Sequence, residues 1–149
     1  MRVALYQPEI AGNVGAVLRL AACFGVGVDI IEPTGFAWSD ARMRRAGMDY
    51  IDAVEIARHS SWAAFVEQQA GRLILLTSRG TIGLHDHRFE GGDVLLMGSE
   101  SSGVPEAASA RCAARVRIPI RRQVRSLNLG IATGIALAEA LRQTAQLPQ

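Results

Sequence analysis

The sequence predicts an α/β protein: one domain with a mostly parallel sheet and helices on both faces. Three observations predict it. Short apolar runs alternate with helical patterns along the chain, as parallel βα units require. Two of those runs, Leu73-Ile-Leu-Leu-Thr77 and Val94-Leu-Leu-Met97, are continuously apolar, as strands covered on both faces are. The length of 149 residues suits a single core, removing roughly two-thirds of the unfolded chain's surface from water.

The elements follow in order. Strands are expected at about 2–6, 27–31, 52–56, 73–77, 94–97 and 115–119, and helices at about 13–24, 39–46, 60–69, 105–110 and 128–143. Asn13, Ser39 and Ser60 suit helix N-caps. Pro105 suits the first turn of its helix. In the first helix Val14, Val17, Leu18, Ala21 and Ala22 share one face. Arg19 falls well off that stripe, and so points either to water or into a site. The last helix carries Gly130, Gly134 and Ala138 at i, i+4, i+8. Glycine weakens a helix interior by about 1 kcal/mol against alanine. The smooth stripe therefore has a packing reason, either a close contact within the chain or a subunit interface.

Composition narrows the class. Hydrophobic residues make up 49% and aromatics 5%, so the core is aliphatic. All sixteen cations are arginine, and the net charge is +2. Arg111, Arg115, Arg117, Arg121, Arg122 and Arg125 fall within fifteen residues that contain no acid. Arginine binds phosphate through a planar fork that lysine lacks. Cys23 and Cys112 form no C-x-x-C, which argues against a disulfide framework or zinc site and fits a reducing, cytoplasmic setting. The chain enters its first strand at Arg2 without the pattern of a secretory leader. No apolar run approaches the roughly 20 residues a membrane span needs.

Three segments share the layout of apolar strand, polar turn and helix start. They are Asn13-Val-Gly15 with Arg19; Leu95-Leu-Met-Gly98-Ser-Glu100-Ser-Ser-Gly103-Val-Pro105; and Arg117-Ile-Pro-Ile-Arg-Arg-Gln-Val-Arg125-Ser126-Leu127-Asn128-Leu129. Turns at strand carboxyl ends present backbone groups to ligands in α/β sheets. Gly98 and Gly103 permit close backbone approach there. Glu100 reads either as a ligand for a cation or hydroxyl, or as a partner of a helix dipole. His85-Asp-His87 lacks a third ligand nearby and reads as solvated, with no metal expected. G-x-S-x-G is absent, so acyl transfer has no support. G-x-G-x-x-G is absent after the first strand, which weighs against a dinucleotide-dependent oxidoreductase.

In this order and spacing, the three segments resemble the motifs of the SpoU branch of the SPOUT (α/β-knot) RNA methyltransferases. The resemblance covers essentially the whole chain, 1–149. Leu5-Tyr-Gln-Pro-Glu-Ile10, Ile31-Glu-Pro-Thr-Gly-Phe-Ala-Trp-Ser-Asp40 and Arg44-Arg-Ala-Gly-Met-Asp-Tyr50 narrow it to the minimal TrmL type, which 2′-O-methylates the tRNA wobble nucleotide, C34 or U34. The resemblance implies a C-terminal trefoil knot, a homodimer, tRNA as partner and S-adenosylmethionine as cofactor. It implies that Leu76, Gly98, Glu100, Gly103, Ile118, Ile120, Ser126, Leu127 and Leu129 hold the cofactor. It assigns catalysis to Arg19, Ser126 and Asn128, and tRNA binding to Asn13, Arg42, Arg45, Arg121, Arg122 and Arg125. The chain has Ser99-Glu-Ser-Ser102 where such enzymes often have Pro-Glu-Thr-Arg, a difference that bears on substrate contact rather than chemistry. The alternatives are 2′-O-methylation at another tRNA or rRNA site, and a non-catalytic RNA-binding module of the same fold.

Overall fold

In a computed structural model the described residues are 1–45 and 50–149, excluding the side chains of Arg42 and Arg45. The tRNA-binding expectation placed on those two arginines therefore lies outside the described residues. The strands are β1 (Arg2–Tyr6), β2 (Gly27–Ile31), β3 (Ile56–His59), β4 (Leu73–Leu76), β5 (Ile82–Gly83), β6 (Val94–Met97) and β7 (Ala114–Arg117). They form one sheet in the order β3-β2-β1-β6-β4-β7-β5, every pairing parallel. The helices are α1 (Ala11–Phe24), α2 (Asp40–Arg45), α3 (Trp62–Gln68), α4 (Glu106–Ser109) and α5 (Leu129–Gln143).

Both sheet faces are covered. Val14, Val17, Leu18 and Ala21 of α1 and Ala136, Leu137, Ala140 and Leu141 of α5 pack on one face against Val3, Leu5, Ile74 and Leu95. Phe65 of α3 and Ala108 of α4 pack on the other, against Ala4, Leu75 and Leu96. Double coverage explains the unbroken apolar runs of β4 and β6, where every residue is buried.

The structure moves several expected elements. The strand expected at 52–56 lies at Ile56–His59, preceded by a 3-10 turn at Ile51–Ala53. Ile51 and Val54 are both buried and three residues apart, a turn-like repeat rather than strand alternation. β5 pairs with the sheet edge through two residues, too few to show a period. β7 ends at Arg117, before Pro119, whose ring nitrogen has no hydrogen to give a ladder. Asn13 is not a cap but the third residue of α1, whose N-cap position is Ile10. Ser61, not Ser60, caps α3 by accepting the Ala64 amide at 3.1 Å. Pro105 sits at the N-cap position of α4 rather than inside its first turn.

The glycine stripe of α5 has its packing partner inside the chain. A Cβ on Gly130 would stand 2.9 Å from the Cβ of Ala16, and one on Gly134 would stand 3.3 Å from a methyl of Leu20. The stripe lets α5 close on α1, so Gly130 and Gly134 are not evidence of a subunit interface. After β7 the chain lines the cavity beside Leu76 and Gly98 and meets α1 through the Asn128–Asn13 hydrogen bond.

Candidate active site at the carboxyl ends of the central strands

β6, β4 and β7 are neighbours in the sheet, and the segments that follow them converge. Together with the starts of α1 and α5 they enclose a cavity of about 840 Å³. Leu76, Ile118, Ile120, Leu127 and Leu129 give it apolar walls, and the Gly98–Gly103 loop closes one side. That loop folds back on itself: Ser99 and Gly103 exchange backbone hydrogen bonds of 3.1 and 3.0 Å. Gly103 makes the turn with φ of +70°, a conformation that side chains disfavour. A Cβ on Gly98 would lie 2.6 Å from the backbone of Gly103, so only glycine fits beneath the returning loop.

A relay of hydrogen bonds joins the three motif segments. The Glu100 carboxylate accepts from the amides of Glu9 and Ile10, at 2.8 and 3.2 Å, and from Nδ2 of Asn13 at 3.0 Å. Oδ1 of Asn13 accepts from Nδ2 of Asn128 at 2.9 Å. Oδ1 of Asn128 in turn caps α5 by accepting from the amides of Gly130 and Ile131, at 2.9 and 3.3 Å. In each amide the nitrogen donates and the oxygen accepts along the relay, which sets both amide orientations. Helix α1 has no acid in its own first turn, so Glu100 supplies negative charge where the helix dipole favours it. Glu9 answers across the gap, accepting from the backbone and hydroxyl of Ser101 at 3.0 and 2.5 Å.

The sequence-derived residues sort into three groups. Leu76, Gly98, Glu100, Gly103, Ile118, Ile120, Ser126, Leu127 and Leu129 all line the cavity, as do Asn13, Asn128 and Arg125. Glu100, Asn13 and Asn128 use their side chains as struts between segments. Ser126 is exposed at the cavity, and its hydroxyl has no protein partner among the described residues. Arg121 and Arg122 are exposed on the adjoining loop, with Val124 at 55% exposure beside them. Arg19 stands apart. It lies six residues beyond Asn13, about 9 Å along α1 and about 120° around it, and does not line the cavity. Its guanidinium carbon sits 5.0 Å from the centre of the Tyr50 ring.

Some residues were missed or misjudged from sequence. Thr77, Ser78 and Arg79 also line the cavity; Thr77 ends the expected strand, Ser78 and Arg79 follow it, and none belongs to a motif. Two members of the arginine cluster serve the fold. Arg115 pairs with Glu106 at 2.7 Å, and Arg117 donates to the carbonyls of Gly80 and Thr81 at 3.0 Å each. His87 is not solvated. It is 8% exposed with its ring edge-on to Phe89, and burial, helped by nearby Arg72, holds its pKa below the ordinary value. No cluster of three or more metal-ligating side chains occurs among the described residues. None of their helices is long and apolar enough to cross a membrane.

Residues 1–138 match the SpoU rRNA methylase family. The chain belongs to that family. A SpoU relative from Beijerinckia indica subsp. indica, described as a tRNA (cytidine(34)-2′-O)-methyltransferase, is 51% identical over 148 residues, spanning 97% of this chain and 92% of its own. A solved structure described as giving insight into the 2-OH methylation of C/U34 on tRNA aligns with a TM-score of 0.89 at 44% identity, covering 95% of this chain and 94% of that one. An AdoMet-bound rRNA methyltransferase from Sinorhizobium meliloti aligns with a TM-score of 0.85 at 33% identity, over 95% of this chain and 55% of that longer one. The seven-stranded parallel sheet and its helices are thus a shared SpoU architecture.

Proposed function

We infer that the protein is a tRNA 2′-O-methyltransferase that uses S-adenosylmethionine to methylate the ribose of the wobble nucleotide, C34 or U34. The observation that carries this reading is the junction of three motif segments around one cavity, in a chain 51% identical over nearly its full length to a wobble-cytidine methyltransferase.

The cavity suits the cofactor. Its volume lies in the range of small-molecule sites. Its walls are aliphatic for an adenine ring, and the backbone of the 98–103 and 118–129 segments offers polar groups at the edges. Leu76, Ile118, Leu127 and Leu129 would hold the cofactor, with Gly98 leaving the room a side chain would fill. S-adenosylmethionine supplies a sulfonium methyl that is already electrophilic. The chain's remaining tasks are placement of the 2′-hydroxyl and management of its proton, and placement alone contributes several kcal/mol.

Ser126, exposed at the cavity, orients the ribose. Arg19 acts as a cation that stabilises the developing alkoxide. A guanidinium stays protonated at ordinary pH and has no lone pair to take a proton, so the proton passes to a neighbouring RNA phosphate. Arg121, Arg122 and Arg125 hold the tRNA backbone. The enzyme works as a homodimer. Support comes from Arg19's separation from its own cavity and from the exposed apolar side chains Ile10, Ile131 and Ile135, which a second copy would cover. The return of the chain after β7 is where the expected trefoil knot would form. Free, separated cysteines and a tRNA substrate support a cytoplasmic location.

Calorimetric titration with S-adenosylmethionine, followed by methyl-label transfer to tRNA, tests the reading. Saturable binding and transfer are expected. A non-catalytic RNA-binding module would bind tRNA and show neither.

A further inference from the structure

We infer that Tyr50 is a positioning residue for Arg19, holding the guanidinium over its ring face in the orientation that methyl transfer uses. The inference rests on the reading of Arg19 given above and extends it to a residue for which the motifs gave no role.

Arg19 projects from the exposed face of α1. The structure places its guanidinium carbon 5.0 Å from the centroid of Tyr50. At that distance the negative ring face attracts a cation without accepting a proton or neutralising the charge.

Tyr50 is itself fixed. Its carbonyl accepts the Ala53 amide at 2.9 Å to open the 3-10 turn. The next side chain, Ile51, is buried in the core that includes Val14, Val17 and Leu18 of α1. The turn that carries Tyr50 is therefore packed against the same helix that carries Arg19. Sequence spacing gives no hint of the pair, which are thirty-one residues apart and meet only through this turn.

The test compares Tyr50→Phe, Tyr50→Leu and Arg19→Ala, alone and combined, with saturating cofactor and tRNA. Phenylalanine keeps the ring face, and leucine keeps apolar bulk without it. Tyr50→Leu is expected to lower kcat by about threefold or more, with cofactor affinity by calorimetry unchanged, while Tyr50→Phe restores wild-type turnover. In an Arg19→Ala background, Tyr50→Leu is expected to have no further effect. Wild-type turnover in Tyr50→Leu, equal damage in Tyr50→Phe, or an undiminished Tyr50→Leu effect without Arg19 would each overturn the proposal. Wild-type turnover in Arg19→Ala would overturn the underlying reading of Arg19 instead. A measurement on the unsubstituted chain is independent of variant folding. The Arg19 Nε–H resonance is expected upfield of other arginines through the ring current of Tyr50, and an ordinary position would overturn the proposal.

Discussion

Glu100→Gln separates the strut that the structure shows from the cofactor ligand that the resemblance implies. The carboxylate accepts three N–H groups, two from the backbone before α1 and one from Asn13. Glutamine keeps the shape but has one acceptor oxygen. With that oxygen turned to Ile10 and Asn13, its NH2 group faces the Glu9 amide, donor against donor. One charge-assisted bond is lost, worth about 1.5–3 kcal/mol, and the other two become neutral ones. Glu100 is half-buried, so water softens the loss, and the lower part of the range applies: about 2 kcal/mol. For a chain of this size, that lowers Tm by about 4–8 °C. The assay is thermal and urea unfolding without cofactor, at one fixed protein concentration. Unchanged stability with a tenfold loss of S-adenosylmethionine affinity would refute the strut and make Glu100 a cofactor ligand.

Other perturbations follow from the same geometry. Gly98→Ala drives a methyl to 2.6 Å from the Gly103 backbone; overpacking of about 1–3 kcal/mol is expected to displace the loop and weaken cofactor binding about tenfold or more by calorimetry. Replacing Arg121 and Arg122 by alanine is expected to weaken tRNA binding and flatten its salt dependence, with cofactor affinity unchanged; an intact salt slope would remove these side chains from the RNA interface. His87 has a folded pKa below its ordinary 6.5, so the folded state takes up its proton later than the unfolded state does. The sign follows: stability is full above about pH 6.5 and declines as pH falls toward the depressed pKa. His87→Leu is expected to flatten that decline in urea midpoints measured at pH 7.5 and 5.5.

What the sequence disclosed, and what it hid, follows from the range of the interactions involved. β1, β4 and β6 were legible because double burial writes itself as a run of apolar residues. The cavity's lining was legible through the family resemblance, which pointed to Leu76, Gly98–Gly103 and Ile118–Leu129; the structure brings them together because β4, β6 and β7 are sheet neighbours. The relay was not. Asn13 reads locally as a cap, and only tertiary contact shows it bonded to Glu100 and Asn128, 87 and 115 residues away. The stripe of Gly130 and Gly134 disclosed a close approach but not its partner, Ala16 and Leu20 of the same chain. Tyr50 was hidden for a similar reason, since its contact with Arg19 depends on the turn that follows it.

Methyl mapping on tRNA tests the central claim most directly. Purified protein is incubated with S-adenosylmethionine and tRNA from cells lacking it, and the products are digested and read by mass spectrometry. The account predicts a 2′-O-methyl on the ribose of nucleotide 34, C or U, formed by the wild-type protein and not by Arg19→Ala. Transfer to a different position, to a base atom, or at the wild-type rate by Arg19→Ala would contradict it.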